Sequence, residues 1–357
     1  LRPANEAING AVERQRVFRA YANLFQQITS RSWAAPSLQQ HQADLTADGL
    51  RADQQMLRLA RMMPLSDIRR AYFFFLMEWL ALWDFHLLWL LERWQRKAGK
   101  HARAWLTALG EFEALLALAT LAHDHPAWAF PSIGQDAPKP LTARNLGHPL
   151  LSPGICVGSD VSVGPSGTFL LVTGSNMSGK STLLRAIGVN VALAQAGAPV
   201  CAAQMAMQPI TLATSIRVQD SLEQGVSYFM AELKRLKQVV DCAEQTRAAG
   251  ETTLLFLLDE ILHGTNTRER QIAVRHIVRH LLKQQATGAI STHDLSLADA
   301  PEFKEFSQPV YFTESFTRGP EGVAMHFDYK LRPGIATSTN ALKLLEIVGL
   351  PIDDLNG

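Results

Sequence analysis

The chain has 357 residues, of which 47% are hydrophobic and 19% are charged, as in soluble globular proteins rather than disordered ones. This length is sufficient for two or more domains, each with its own core. The 34 Lys and Arg residues nearly balance the 33 Asp and Glu residues, which leaves a formal charge of +1. The balance excludes a global basic field for nucleic acid, so any DNA contact would require a local patch.

Three cysteines, Cys156, Cys201 and Cys242, are widely spaced and match neither a disulfide framework nor a zinc-binding pattern. Such cysteines are typical of a reducing compartment, and we expect a cytoplasmic protein. The sequence starts at Leu1 without an initiator Met or a signal peptide in view. We therefore expect a fragment of a longer protein.

Residues 1–125 are predicted to form an α-helical domain. All seven Trp residues lie before residue 130, and this shift in composition separates the segment from the rest of the chain. Ala, Leu, Arg and Gln dominate predicted helices over residues 1–34 and 42–63, with a break at Ala35-Pro36-Ser37. A further helix is predicted from Ala102 to about Ala122.

A long apolar segment, Ala71–Leu91, follows Ser66 and Asp67, which we expect to cap it as a helix. By length it could just span a bilayer. Its middle contains three ionisable residues, Glu78, Asp84 and His86. Charged groups are costly in hydrocarbon, so a buried helix packed on all sides is the favoured interpretation.

A proline-rich stretch, residues 126–140, is predicted to connect the helical domain to a second domain over residues 141–357. There, short β-branched runs alternate with helical ones, as in α/β proteins. The predicted strands are Ile155–Val163, Thr168–Val172, Val200–Ala203, Thr211–Val218, Thr253–Leu258, Thr287–Ser291, Pro309–Thr313 and Val323–Tyr329. The predicted helices are Lys180–Gln195, Tyr228–Ala248, Thr267–Lys283 and Thr339–Val348.

A loop between a buried strand and a helix has the P-loop spacing G-x-x-x-x-G-K-S. Its residues are Gly174, Ser175, Asn176, Met177, Ser178, Gly179, Lys180, Ser181 and Thr182. The two glycines allow a tight turn whose N–H groups, with the helix dipole, can surround a polyphosphate. Lys180 would reach the β- and γ-phosphates, and Ser181 would ligate Mg²⁺. A glycine-rich turn that binds nothing is the alternative interpretation.

A second apolar strand, Leu254–Leu258, ends in Asp259 and Glu260. Asp259 is expected to hold the Mg²⁺ shell, and Glu260 to act as the general base on the attacking water. His293 follows a further strand and would lie at the same edge of the sheet, where it can hydrogen-bond the γ-phosphate. Together these residues predict hydrolysis of a nucleotide.

Several ordered motifs resemble those of the MutS family of DNA mismatch-repair ATPases. The loop from Gly174 to Thr182 is similar to the family's G-x-N-M-x-G-K-S-T, in which Asn-Met is distinctive. The other matches are Asp220–Glu232 to D-D-L-x-x-G-x-S-T-F-M-x-E, Leu258–Thr267 to L-D-E-I-G-R-G-T-S-T, Ser291–His293 to A-T-H, and Tyr329–Pro351 to the closing tail. The resemblance covers about residues 141–351.

The resemblance implies a P-loop ATPase domain of the ABC type, preceded by core and lever helices. It implies a homodimer in which Ser227 of one subunit acts in trans on the γ-phosphate bound by the other, with the Gly264-Thr265-Asn266 loop at the seam. Tyr329 matches an aromatic position that stacks on adenine, and Cys156 stands where the family has an opposing Phe. The implied ligands are ATP and Mg²⁺, and the implied partner is duplex, mismatched or branched DNA.

Departures from the family pattern indicate a divergent branch. Leu262-His263 replaces the usual Gly-Arg, Tyr228 replaces Thr, and the sequence shows no Phe-x-Glu wedge motif. We expect an ATPase that drives a conformational change on DNA, in mismatch repair or recombination-type maintenance. Two alternatives stay open. One is an ATPase acting on a ribosome or on a membrane assembly, with membrane contact only through upstream segments. The other is a nucleotide-gated dimerisation module with little turnover.

Overall fold

The computed structural model describes residues 2–67, 83–216, 228–262, 267–293, 300–319 and 322–336. The chain divides into two compact units, Leu1–Thr120 and Leu121–Gly357. Three sequence predictions fall wholly outside the described residues, and some others fall partly outside them. The three concern Ser227, the Gly264-Thr265-Asn266 loop and the helix Thr339–Val348.

The described secondary structure of the first unit consists of helices joined by short turns. Its helices are α1 (Arg2–Thr29), α2 (Pro36–Asp44), α3 (Ala52–Asp67), α4 (Trp83–Ala98) and α5 (Ala102–Asp124), with 3₁₀ turns at Ala47–Gly49 and Gly99–His101. Phe25, Leu45 and Trp105 are fully buried in a shared apolar cluster. The large aromatic side chains of this half of the sequence therefore supply much of its core.

Two expectations for these helices are wrong. The predicted helix over residues 42–63 is interrupted between Asp44 and Ala52, where Asp48 has a φ of 55°. Ser66 and Asp67 lie within the helix α3, and not before the start of a helix as predicted. At the predicted break, Pro36 begins α2, because its fixed φ and missing N–H suit the first helical position.

The apolar segment Ala71–Leu91 lies largely outside the described residues. Among the residues that are described, one helical run, Leu88–Asp124, has the length and apolar composition to cross a membrane, with a mean hydropathy of 1.4 over its most apolar window. Core helices of soluble proteins meet the same criterion.

The described residues of the second unit form three sheets. A six-stranded sheet has the order β12-β9-β4-β8-β7-β6, and it is parallel except for β12. Its strands are β4 (Phe169–Thr173), β6 (Ile210–Ser215), β7 (Thr253–Asp259), β8 (Thr287–Ser291), β9 (Ser307–Tyr311) and β12 (Arg332–Pro333). A four-stranded sheet joins β1 (Ser132–Ile133), β5 (Gln204–Met207), β2 (Leu141–Leu146) and β3 (Ser159–Val163), and β10 (Glu314–Gly319) pairs with β11 (Gly322–Phe327).

Three helices cover the large sheet, α6 (Lys180–Gln195), α7 (Tyr228–Ala249) and α8 (Thr267–Lys283). Leu170 and Val172 of β4 share a cluster with α6 and the four-stranded sheet, whereas Phe169 and Leu171 share another with α7 and α8. Successive side chains of a strand point to opposite faces. A continuous apolar run is therefore what a strand buried on both faces requires.

The sequence predicted the long helices better than the short strands. The helices Lys180–Gln195 and Thr267–Lys283 are confirmed with their bounds. Val200 forms only an isolated bridge with Ala129, and the neighbouring strand β5 lies after it. Five strands, β1, β2, β5, β10 and β12, were not predicted. Strand β1, inside the proline-rich stretch 126–140, pairs with β5, so this stretch contributes to the second unit.

Strand β8 accommodates only glycine at residue 288. A Cβ there would lie 2.1 Å from the carbonyl oxygen of Phe256 on the adjacent strand β7. We expect Gly288→Ala to lower the free energy of unfolding by about 3 kcal/mol, because the two strands would have to separate. Urea unfolding checks this. The control Gly154→Ala, where no atom lies within 4 Å of the added Cβ, should change stability by less than about 0.5 kcal/mol.

Candidate nucleotide-binding site

The P-loop joins the end of β4 to the start of α6, as the sequence predicts. Gly174 has a φ of 143° and Gly179 a φ of 106°, conformations that side chains disfavour. The intervening Met177, with a φ of 66°, is 82% exposed. The loop therefore presents its backbone at the N-terminus of a 16-residue helix, the arrangement that favours anions.

Lys180 is buried, with only 4% of its surface exposed. Its Nζ donates hydrogen bonds to the carbonyl oxygens of Gly174 at 3.1 Å and Ser175 at 2.9 Å. It also lies 3.4 Å from Oε1 of Glu260. A buried ammonium needs such partners, and oxygen atoms of a phosphate could replace them.

The carboxylate of Asp259, at the end of β7, joins the P-loop helix to β8. Its Oδ1 accepts hydrogen bonds from Ser181 Oγ, at 2.9 Å, and from Ser291 Oγ. Ser181 and Asp259 thus present hard oxygen donors side by side, which is the chemistry that Mg²⁺ prefers. Ser291 belongs to the motif Ser291–His293, but the sequence did not reveal its contact with Asp259.

Glu260 follows Asp259 in a strained turn. Its φ is 47°, and its N–H donates to the carbonyl oxygen of Ser291 at 3.1 Å. Its carboxylate is about 30% exposed, and its Oε1 lies 3.7 Å from Nδ1 of His293. Because β7 and β8 are parallel neighbours, Glu260 and His293 meet at the same sheet edge, as the sequence predicts.

A cavity of about 710 Å³ lies beside the P-loop. One part of its lining is polar and comes from the loop, Lys180 and Glu260. The remainder is mostly aliphatic and aromatic, with Leu146, His148, Leu151, Ile155, Val157, Ser159, Leu183, Ala186, Phe312 and Tyr329. A mostly apolar cavity with a few convergent polar groups, of this volume, is typical of a small-molecule site.

Tyr329 lines this cavity and has a φ of 53°. It follows the strand β11, which ends at Phe327 and not at Tyr329 as predicted. Cys156, expected opposite the base, lines a different cavity together with Cys201. Its neighbours Ile155 and Val157 line the nucleotide cavity. The aliphatic side chains of Ile155 and Val157, and not Cys156, therefore line the cavity together with Tyr329.

The two thiols lie close together, since both sulfurs are within 3.0 Å of the point that a Cβ on Gly147 would occupy. Burial, together with the neighbouring Cys156, raises the pKa of Cys201 to about 11. At neutral pH Cys201 is therefore a neutral, structural thiol.

Two residues of the site had no assigned role in the sequence, namely His148, which lines the cavity, and Glu314, which contacts the P-loop. Burial, followed by the charge of Arg185, lowers the pKa of His148, and its Nδ1 accepts the N–H of Leu150 at 3.2 Å. His148 is therefore neutral at pH 7. Glu314 accepts a hydrogen bond from Ser175 Oγ at 2.8 Å and so fixes the start of the P-loop. Neither position belongs to a local motif that sequence reasoning could have used.

A model of MutS domain V matches residues 170–355. The match covers more than half of the chain, and it includes the loop, both carboxylates and His293. The chain belongs to the MutS family.

Curated MutS relatives resemble this chain over part of their length. Endonuclease MutS2 of Thermomicrobium roseum is 32% identical over 219 residues, which are 59% of this chain and 25% of the relative. DNA mismatch repair protein MutS 2 of Halobacterium salinarum is 31% identical over 262 residues, 71% of this chain and 28% of the relative. DNA mismatch repair protein MSH6 of Arabidopsis thaliana is 30% identical over 221 residues, 59% of this chain and 16% of the relative. The chain thus spans about a quarter or less of these relatives.

The P-loop geometry predicts that Gly174 tolerates no side chain. A Cβ there would lie 2.8 Å from the carbonyl oxygen of Phe312, at a φ that favours glycine. We expect Gly174→Ala to weaken binding of a fluorescent ATP analogue at least about tenfold, because the loop would have to shift. The control Gly134→Ala has only the amide nitrogen of Asp136, 4.0 Å away, near the added Cβ, and should bind normally.

Proposed function

We propose that this MutS-family chain binds and hydrolyses ATP at a composite site in a homodimer and uses the energy for a conformational change on DNA. One observation supports the proposal above all others. The carboxylate of Glu260 lies 3.4 Å from the ammonium of Lys180, and Asp259 accepts a hydrogen bond from Ser181 at 2.9 Å. The ends of two strands that are far apart in sequence therefore bring these groups together at one edge of the parallel sheet. Phosphoryl transfer requires this combination of cation, Mg²⁺ ligand and base.

The loop residues Ser175, Asn176, Met177, Ser178, Gly179 and Thr182 would bind the triphosphate together with Gly174, Lys180 and Ser181. Lys180 would exchange its loop carbonyl partners for β- and γ-phosphate oxygens. That exchange would also weaken its contact with Glu260. Binding of ATP would therefore leave the carboxylate able to accept a proton from water.

Glu260 is the proposed general base, since its partly exposed carboxylate can reach a water molecule beside the γ-phosphate. His293 is proposed to donate a hydrogen bond to the γ-phosphate, and its position 3.7 Å from Glu260 supports this role. Transfer of the water proton to Glu260 would accompany attack on phosphorus and cleavage of the bond to the β-phosphate oxygen, which leaves as ADP.

The oxygen donors of Ser181 and Asp259 fit Mg²⁺ in type and proximity. A bound Mg²⁺ would neutralise charge on the triphosphate. Tyr329 is proposed to stack on adenine, because it lines the same cavity as the P-loop.

Dimerisation and the target are proposed from the family. Ser227, matched to the signature serine, would complete the γ-phosphate site of the partner subunit. Two of the relatives described above are named as DNA mismatch repair proteins, which supports DNA as the partner. We propose a cytoplasmic location, in keeping with the free thiols of Cys156, Cys201 and Cys242.

Glu260→Gln should lower the rate of phosphate release at least about 100-fold, because an amide cannot accept the proton. Binding of an ATP analogue should persist. The control Glu305→Gln removes an exposed carboxylate before the start of β9, at the opposite edge of the sheet, and should leave turnover unchanged. Equal turnover in wild type and Glu260→Gln would contradict the assignment, and a wild type without turnover would favour the nucleotide-gated module.

DNA binding is tested with labelled duplex, mismatched and branched DNA at several salt concentrations. We expect affinity to fall steeply as salt rises, because phosphate contacts release counterions. If the proposed conformational change acts on DNA, ATP and its non-hydrolysable analogue should change the affinity for DNA. Absence of binding to all three DNA forms, with ATP turnover intact, would contradict DNA as the target and favour a non-DNA assembly.

A further inference from the structure

Helix α7 places a buried carboxylate, Glu232, against the turn that follows β7. Glu232 is only 2% exposed, and its Oε1 accepts the backbone N–H of Leu262 at 2.6 Å. Its Oε2 is also buried and has no hydrogen-bond partner within the described ranges. Burial raises the pKa of this carboxyl group, so burying Glu232 opposes its ionisation. Such a residue requires an explanation beyond solubility or packing.

The turn that is bonded to Glu232 has an unfavourable backbone conformation. Glu260 and Leu262 have φ values of 47° and 62°, in the left-handed region that favours glycine. Leu262 stands where the family pattern has Gly, and its side chain is fully buried. A leucine in this conformation must be held by its surroundings.

Hydrogen bonds hold the turn from both sides. The N–H of Glu260 donates to Ser291 on β8, and the N–H of Leu262 donates to Glu232 on α7. Only Ile261, itself 6% exposed, separates the two anchored residues. A shift of Leu262 away from α7 would therefore displace the backbone that sets the direction of the Glu260 carboxylate.

We propose that Glu232 is a positioning residue, which holds the turn after β7 and thereby keeps Glu260 aimed at the site of water attack. This inference rests on the proposed ATPase function. It also assigns a task to the acidic residue at the end of the motif Asp220–Glu232, which sequence reasoning had left without one.

Steady-state kinetics of ATP hydrolysis by the full chain test the proposal. Glu232→Leu fills the same space without an acceptor, and Glu232→Asp keeps the charge but is one methylene too short. Both should lower kcat at least about tenfold while KM changes less than about twofold, because misplacement of the base acts on the chemical step. Glu232→Gln keeps an acceptor oxygen and should retain kcat within about threefold of wild type.

A matched control lies on the same helix. Glu244 is exposed and pairs with His280, and Glu244→Leu should leave kcat and KM unchanged. A circular dichroism spectrum and a thermal unfolding transition like those of the wild type would show that each variant has folded. A variant that fails to fold is replaced in the comparison by the other substitution at the same position.

The backbone strain offers a second readout. In a Leu262→Gly background the positive φ carries no penalty, so the turn depends less on the hydrogen bond to Glu232. There, Glu232→Leu should lower kcat by less than about threefold, measured against Leu262→Gly alone. An equal loss in both backgrounds would overturn the proposal.

The outcomes separate this inference from the function on which it rests. A wild type that releases no phosphate would contradict the ATPase function. An active wild type with all Glu232 variants within about threefold of it in kcat would overturn the positioning role. A parallel rise in KM and loss of analogue affinity in the folded variants would also overturn it, because the damage would then lie in nucleotide binding.

Discussion

The hydrogen bonds that converge on the carboxylate of Asp259 are the interaction on which the site depends. Ser181, on the helix after the P-loop, and Ser291, on β8, both donate to the same oxygen. These two bonds connect three elements that lie far apart in sequence. They require β4, β8 and β7 to be parallel neighbours with their carboxyl ends aligned, which the continuous apolar runs of these strands allow.

Charge balance explains how Lys180 can be buried at the site. Lys180 is buried and uses the carbonyl oxygens of its own loop, together with Glu260, as substitutes for phosphate oxygens. In the proposed function, exchange of these partners for a triphosphate would link nucleotide binding to release of the Glu260 carboxylate. Binding and chemistry would thus be connected through one ammonium group.

The turn after β7 has a strained backbone. Two non-glycine residues, Glu260 and Leu262, occupy left-handed conformations that cost on the order of 1 kcal/mol each. Burial of Leu262 and hydrogen bonds from β8 and α7 offset this cost. The direction of Glu260 therefore depends on the packing of the whole layer of helices against the sheet, and not on the turn alone.

The sequence by itself determined the P-loop, the pair Asp259-Glu260 and the long helices, because each depends on a contiguous pattern of glycines, apolar residues and charges. It did not determine that Ser291 bonds Asp259 or that Ile155, and not Cys156, lines the cavity. Short strands such as β2 and β10 also escaped prediction, since they lack an apolar run of their own. Only the tertiary structure decides these features, because strand register and the packing of distant segments set which side chains meet.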